Sequence, residues 1–216
     1  MTHDEVEWNR ESFDPQRLLA ARSASWSLLD ACFARLEPGM SSDEARACVD
    51  AHILEVTGRK PWHPTQLRVD PETRLPFGAK PTQAAVITTS SLVVLDMGPV
   101  FDGYEGDVAD TRRLDGARDE LAASARALHE ELVLQWRLHR TSGRALYTHA
   151  AERADAMGYD LATRGASGHR LADFPHEVRG QLKALDRCPR SAAWVLEIHL
   201  LSRAGERGAF YEDLLV

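Results

Sequence analysis

The 216-residue chain has no run approaching the roughly 20 apolar residues that a membrane-spanning helix needs, so no membrane partner is expected. Cysteine is scarce: Cys32, Cys48 and Cys188 are an odd set without a CxxC pair. They read as reduced thiols, small core fillers of a cytoplasmic protein. Positive charge is short as well, and a net charge of −7 argues against nucleic acid as the main partner, because a polyanion is repelled overall. The segment Met1-Thr2-His3-Asp4-Glu5 is acidic and lacks an apolar core, so no signal peptide is expected. Internal repeats, low-complexity tracts and interdomain linkers are also missing. What remains is 44% hydrophobic and 27% charged, the profile of an ordinary globular protein long enough to bury a sizeable core. A single domain over residues 1–216 is expected, with residues 1–13 as a polar lead-in.

Asp14-Pro15 has the form of a helix start, with Asp as cap and Pro at the first helical position. Leu18, Leu19, Trp26, Leu29, Cys32, Phe33 and Leu36 follow at helical spacing until Pro38-Gly39. Ser41 with Glu44 has the form of a capping box and predicts a second helix to about Val56. The segment 59–82 reads as loop and irregular strand. Strands are predicted over 84–89 and 92–97, with 100–114 as a hairpin partner turned at Asp102-Gly103. Amphipathic helices over about 117–140 and 143–157 precede strands at 194–201 and 209–216. Helices, strands, helices, strands in that order favour an α+β fold.

Acids stand where burial is expected. Asp96 follows the apolar Leu92-Val93-Val94-Leu95, and Glu197 is central in Trp194-Val195-Leu196-Glu197-Ile198-His199-Leu200. Burying an unpaired carboxylate costs several kcal/mol, so such groups pair or coordinate a cation. Asp107 lies 11 residues after Asp96, across a Gly-containing turn that a hairpin can close to place both on one sheet face. Two carboxylates that close raise each other's pKa unless a cation sits between them. With His169 and Glu212 they make an oxygen-rich set that suits Mn, Fe, Co or Zn better than a thiolate site would. Read singly, His169 is an ordinary loop histidine and Glu212-Asp213 a polar turn. His63, beside Trp62 and Pro64, is balanced between a site histidine and a packing one. His199 shares a sheet face with Glu197 and reads as a hydrogen-bonded core histidine more readily than as a site residue.

In combination the pattern resembles the pita-bread metallopeptidase family of methionine aminopeptidases, Xaa-Pro aminopeptidases, prolidases and creatinases. Its first acidic run is matched by Asp96-Met97-Gly98, then Gly103-Tyr104, then Asp107, with Thr111 continuing it and Asp110 where the family has Arg. Its Gly-His…His-Glu element is matched from Gly168-His169 to His176-Glu177, and its two late glutamates fall at Glu197 and Glu212. The resemblance covers roughly residues 28–216, in a short and divergent member. It implies a curved, mainly antiparallel sheet flanked by helices. It also implies one or two divalent ions held by Asp96, Asp107, His169, Glu197 and Glu212, with Asp107 and Glu212 bridging. Under the resemblance His176 is the substrate-contacting histidine that donates to an oxyanion, and Glu197 or a nearby acid moves the proton.

The family's catalytic histidine usually comes shortly before the first Asp, where this chain has Pro76-Phe77-Gly78-Ala79; His63 is the nearest upstream histidine that could replace it. The leading expectation is a metal-dependent hydrolase of a small peptide, amide or amino-acid derivative, using a metal-activated water. A non-hydrolytic iron or manganese enzyme of oxygenase or oxidase type on the same scaffold is the alternative, followed by a metal-free binding module. The resemblance also leaves room for a homodimer.

Overall fold

The computed structural model describes residues 13–172 and 180–216. All but the last residue of the lead-in at 1–13, and His176, lie outside the described residues.

Helix α1 is Pro15–Phe33, where Asp14 caps by accepting from Gln16 N at 2.9 Å. Helix α2, Ser42–Thr57, opens on the anticipated capping box between Ser41 and Glu44 and stops at Gly58, whose φ of 70° is left-handed. Helices α3, Glu120–His139, and α4, Gly143–Ala156, are capped by Asp119 and Ser142. The strands are β1 Gln66–Val69, β2 Leu92–Met97, β3 Val100–Phe101, β4 Tyr104–Glu105, β5 Val108–Arg113, β6 Tyr159–Leu161, β7 His169–Arg170, β8 Trp194–Ser202 and β9 Gly208–Leu214.

One sheet runs in the order β1-β2-β5-β9-β8-β6, with β7 also on β8, and every pairing among the described residues is antiparallel. Strands β3 and β4 form a separate small hairpin. Its turn is Asp102-Gly103, at φ 49° and 80°, the two positive values that a two-residue hairpin turn of the right twist requires.

Alternation along the strands sorts the two sheet faces. Leu95 and Met97 of β2 pack with Leu28, Leu29, Val49 and Ile53 of α1 and α2. Leu196, Ile198 and Leu200 of β8 pack with Leu121, Leu128 and Leu132 of α3 and Leu146 of α4. Each such buried side chain contributes about 1.5–3 kcal/mol over the exposed state. The helices therefore cover one face, and the alternate residues, Asp96 and Glu197 among them, project from the other. Val94, Ala109 and Phe210 meet Ala166 on that second face. Among the described residues no helix is long and apolar enough to cross a membrane.

Three expectations about the elements change. Residues 84–89 form no strand: Ile87 N donates to Met40 O, Gly39 N to Ile87 O, and Ala85 N to the Glu72 carboxylate. Their backbone groups are thus satisfied by the α1–α2 junction and a buried acid rather than by a ladder. Strand β1 emerges from the segment read as loop and irregular strand, because Leu67 and Val69 bury against the helices while Gln66–Val69 pair with β2. The 100–114 segment divides, since Pro99 has no N–H and Gly106 passes close under α1; a Cβ on Gly106 would lie 2.6 Å from Ala21 O.

Candidate metal centre

Strand register brings the predicted acids into one row. Asp96 is opposite Ala109, Ala109 is opposite Glu212, and Glu212 is opposite Glu197, across four neighbouring strands. Residues directly opposite share a face, as do residues two apart on one strand. Asp107, two before Ala109, thus joins the row, and so does His169, which pairs with Val195 two before Glu197. Asp96, Asp107 and Glu212 are 4%, 4% and 2% exposed.

The side chains meet. His169 Nε2 is 3.0 Å from Asp107 Oδ2, and its Nδ1 is 3.5 Å from Glu197 Oε1 and 3.9 Å from Glu212 Oε1. Glu197 Oε2 accepts from the backbone N–H of Gly168 at 2.7 Å and from that of Ser167, which leaves Oε1 turned toward the site. Gly168, at φ 59°, is where the chain lets both amides reach that oxygen; a Cβ there would lie 2.6 Å from Val195 O. Thr111, the threonine that continues the acidic run, has its Oγ1 donating to Phe210 O and accepting from Phe210 N, which ties β5 to β9 beside Glu212. Asp110, the residue that departs from the family pattern, is buried and ion-paired with Arg112 and Arg126.

His63 enters the same cage although it is 33 residues from Asp96 along the chain. Its Nε2 is 3.1 Å from Asp107 Oδ1, 3.7 Å from Asp96 Oδ1 and 4.0 Å from Glu105 Oε1. Glu105, fully buried, is a site residue that sequence reasoning did not single out; its one signal was standing two residues before Asp107. His199 does not join: its Nε2 lies 2.8 Å from Thr73 O and its ring packs on Phe210, the core role read for it.

The electrostatics follow from crowding. Burial drives Asp96 up to about 7, with Asp107 and Glu197 adding to it against the pull of His63 and His169. Glu212 is raised well above the carboxylate range by burial and then by Asp107 and Glu197. Burial alone would raise Asp107 too, but His63 and His169 hold it below the usual range. Burial lowers His63, yet Asp107, Asp96 and Glu105 outweigh it and lift the imidazole to about 10. His169 likewise rises well above its ordinary value despite burial, through Asp107 and Glu197.

Asp96 Oδ1 and Glu212 Oε1 are buried with no hydrogen-bond partner among the described residues. Ligand atoms of Asp107, His169 and Glu212 lie within 4.8 Å of one another, as do those of His63, Glu105 and Asp107. Hard oxygen donors, orphaned carboxylate oxygens and imidazoles fit a divalent cation. The centre opens into a cavity of about 380 Å³ whose rim carries Trp62 and Phe77, 49% and 51% exposed.

Sheet, helices and acid row together define a carboxylate-rich centre on a pita-bread fold. Residues 16–216 match the model of metallopeptidase family M24, and the chain belongs to that family. Among solved structures it is similar to an X-Pro aminopeptidase from Thermotoga maritima MSB8, at 16% identity and TM-score 0.75, covering 97% of this chain and 59% of that one. A Xaa-Pro dipeptidase from Bacillus anthracis matches at 18% identity and TM-score 0.75, over 99% of this chain and 61% of that one. A methionine aminopeptidase from Thermotoga maritima matches at 18% identity and TM-score 0.67, over 95% and 94%. The chain thus spans about three fifths of the length of the first two. No curated protein matches significantly.

Proposed function

We propose that the chain is a metal-dependent hydrolase of a small peptide, amide or amino-acid derivative. The observation that carries this reading is the row of Asp96, Glu212 and Glu197 on one sheet face, with two buried oxygens that have no hydrogen-bond partner among the described residues. Asp96, Asp107, His169, Glu197 and Glu212 are the residues that would hold one or two divalent ions. Such ions supply a coordinated water of lowered pKa and polarise the scissile carbonyl.

The chain's own groups do the rest. Glu197 has one oxygen fixed by two backbone amides, so its other oxygen is held in place to take a proton at the site. His63 stands in the wall of the site with Nε2 toward Asp107. His176 is assigned the oxyanion-donor role on its place in the Gly-His…His-Glu element alone. The cavity volume suits a dipeptide-sized substrate, and Trp62 and Phe77 offer an apolar rim for a side chain.

The test is elemental analysis of protein purified without added metal, then amine release from a dipeptide and amino-acid amide panel with manganese, cobalt, zinc and iron. The reading expects bound metal and amine release, both lost in Asp107→Ala. Full metal content and activity in that variant would sink the site assignment. The second imidazole in the cage favours a second reading, a non-hydrolytic iron enzyme. Stoichiometric iron, oxygen consumption and no amine release would select it.

A further inference from the structure

Beside the four acids and one imidazole of the proposed centre stand two further groups, the half-buried His63 and the buried Glu105. We propose that His63 and Glu105 act with Asp107 as ligands of a divalent ion, so that the centre carries an imidazole at each end. This rests on the metal-centre reading above and adds a ligand set that reading does not contain.

The three donors already converge: His63 Nε2, a Glu105 oxygen and an Asp107 oxygen lie within 4.8 Å of one another. Asp107 serves both ends, with Oδ1 at 3.1 Å from His63 Nε2 and Oδ2 at 3.0 Å from His169 Nε2. A second observation points to a ligand at the His63 end. Asp96 Oδ1 is buried, lacks a hydrogen-bond partner among the described residues, and is aimed at the same place, 3.7 Å from His63 Nε2. The backbone is shaped for the pair as well. A Cβ on Gly98 would lie 2.2 Å from Glu105 Oε1 and 2.7 Å from His63 Nε2, so only glycine there lets both side chains in. Trp62 N donates to Gly98 O at 2.8 Å and fixes the neighbouring His63, while the β3–β4 pairing of Val100 with Glu105 fixes the acid.

The chemistry separates this from a proton-carrying His63. A ligated imidazole has committed Nε2 and has no proton to give there. It also moves that end of the centre from an all-oxygen set, suited to manganese, toward iron, cobalt or zinc.

The experiment is cobalt(II) titration of chelator-stripped wild type, His63→Ala, Glu105→Gln and Asp107→Ala. Stoichiometry is read by elemental analysis after desalting, and ligation by the cobalt visible spectrum. Wild type is expected to take up two equivalents. His63→Ala and Glu105→Gln each lose one equivalent, or bind it at least about 100-fold more weakly, and keep the other; added imidazole restores the lost equivalent in His63→Ala alone. That rescue guards against mistaking a misfolded variant for a ligand loss. Wild-type stoichiometry and spectrum in both variants would overturn the proposal while leaving the metal centre standing, and a kcat loss alongside would assign His63 to proton transfer. Failure of wild type to bind cobalt would remove the metal centre itself, and the proposal with it.

Discussion

Asp96→Asn is expected to make the metal-free protein more stable, although it removes a proposed ligand. The carboxyl of Asp96 moves from an ordinary pKa of 3.8 to about 7 on folding, mainly through burial. That displacement corresponds to about 4 kcal/mol. For an acid whose folded pKa lies above the unfolded one, the charged form is disfavoured in the native state. The penalty is therefore absent below about pH 4, grows as pH climbs toward 7, and is full above it. Asparagine keeps nearly the same volume, and because Asp96 Oδ1 has no hydrogen-bond partner among the described residues, little is lost with the charge. For a chain of this size about 4 kcal/mol moves Tm by roughly 8–16 °C. Calorimetric melts of chelator-stripped wild type and variant at pH 4, 6 and 8 measure it. The gain should be near zero at pH 4 and largest at pH 8. Adding cobalt or manganese should reverse the ranking, because the ion binds the native wild-type site more tightly and stabilises it by mass action. A variant less stable than wild type at pH 8 without metal, or an advantage equal at pH 4 and pH 8, would refute the reasoning.

Three further outcomes are expected. His129, 4% exposed on α3 against Tyr211, is held neutral, its pKa lowered by burial from 6.5 to about 4. The unfolded chain binds that proton first, so stability should fall between about pH 6.5 and 4 by about 3 kcal/mol, and His129→Leu should flatten the fall in denaturant titrations. Phe77→Ala, at the cavity mouth beside His63, should raise KM by about 3–10-fold with kcat little changed, the pattern of lost uniform binding; an unchanged KM would remove Phe77 from the substrate. His176→Ala should lower kcat by about 100-fold while elemental analysis shows unchanged metal, and a loss of metal instead would make His176 a ligand.

The helices and the acid row were legible for different reasons. Asp14-Pro15 and the Ser41–Glu44 box are local signals whose geometry is set within one helical turn, so α1 and α2 begin where they were expected. Asp96 and Glu197 were legible because an acid inside an apolar run has few affordable explanations. Illegible were elements defined by their partners. Residues 84–89 look like a strand, but their amides are taken by Met40 and Glu72, which no local pattern reveals. Strands β6 and β7 are three and two residues long and exist because β8 offers them an edge. Glu105 was overlooked for a related reason: a Glu between Tyr and Gly is unremarkable until the Asp102-Gly103 turn folds it back.

His63 shows why distance along the chain misjudges an antiparallel site. Strand β1 runs antiparallel to β2 with Gln66 opposite Asp96, so residues before Gln66 run alongside residues after Asp96. Carrying that register three residues further sets His63 level with Pro99, and the bond from Trp62 N to Gly98 O shows the chain still alongside there. The separation of 33 residues therefore collapses to neighbouring positions across one strand gap. Glu105 reaches the same segment from the other side, by its pairing with Val100. Both groups are thus delivered by backbone pairing against Gly98–Val100, the segment that directly follows the first acid. A histidine just before β2 is one way to furnish this centre with an imidazole. A histidine three residues ahead of the strand that pairs with β2 is another, and it brings the ring to the Asp107 side where Glu105 stands.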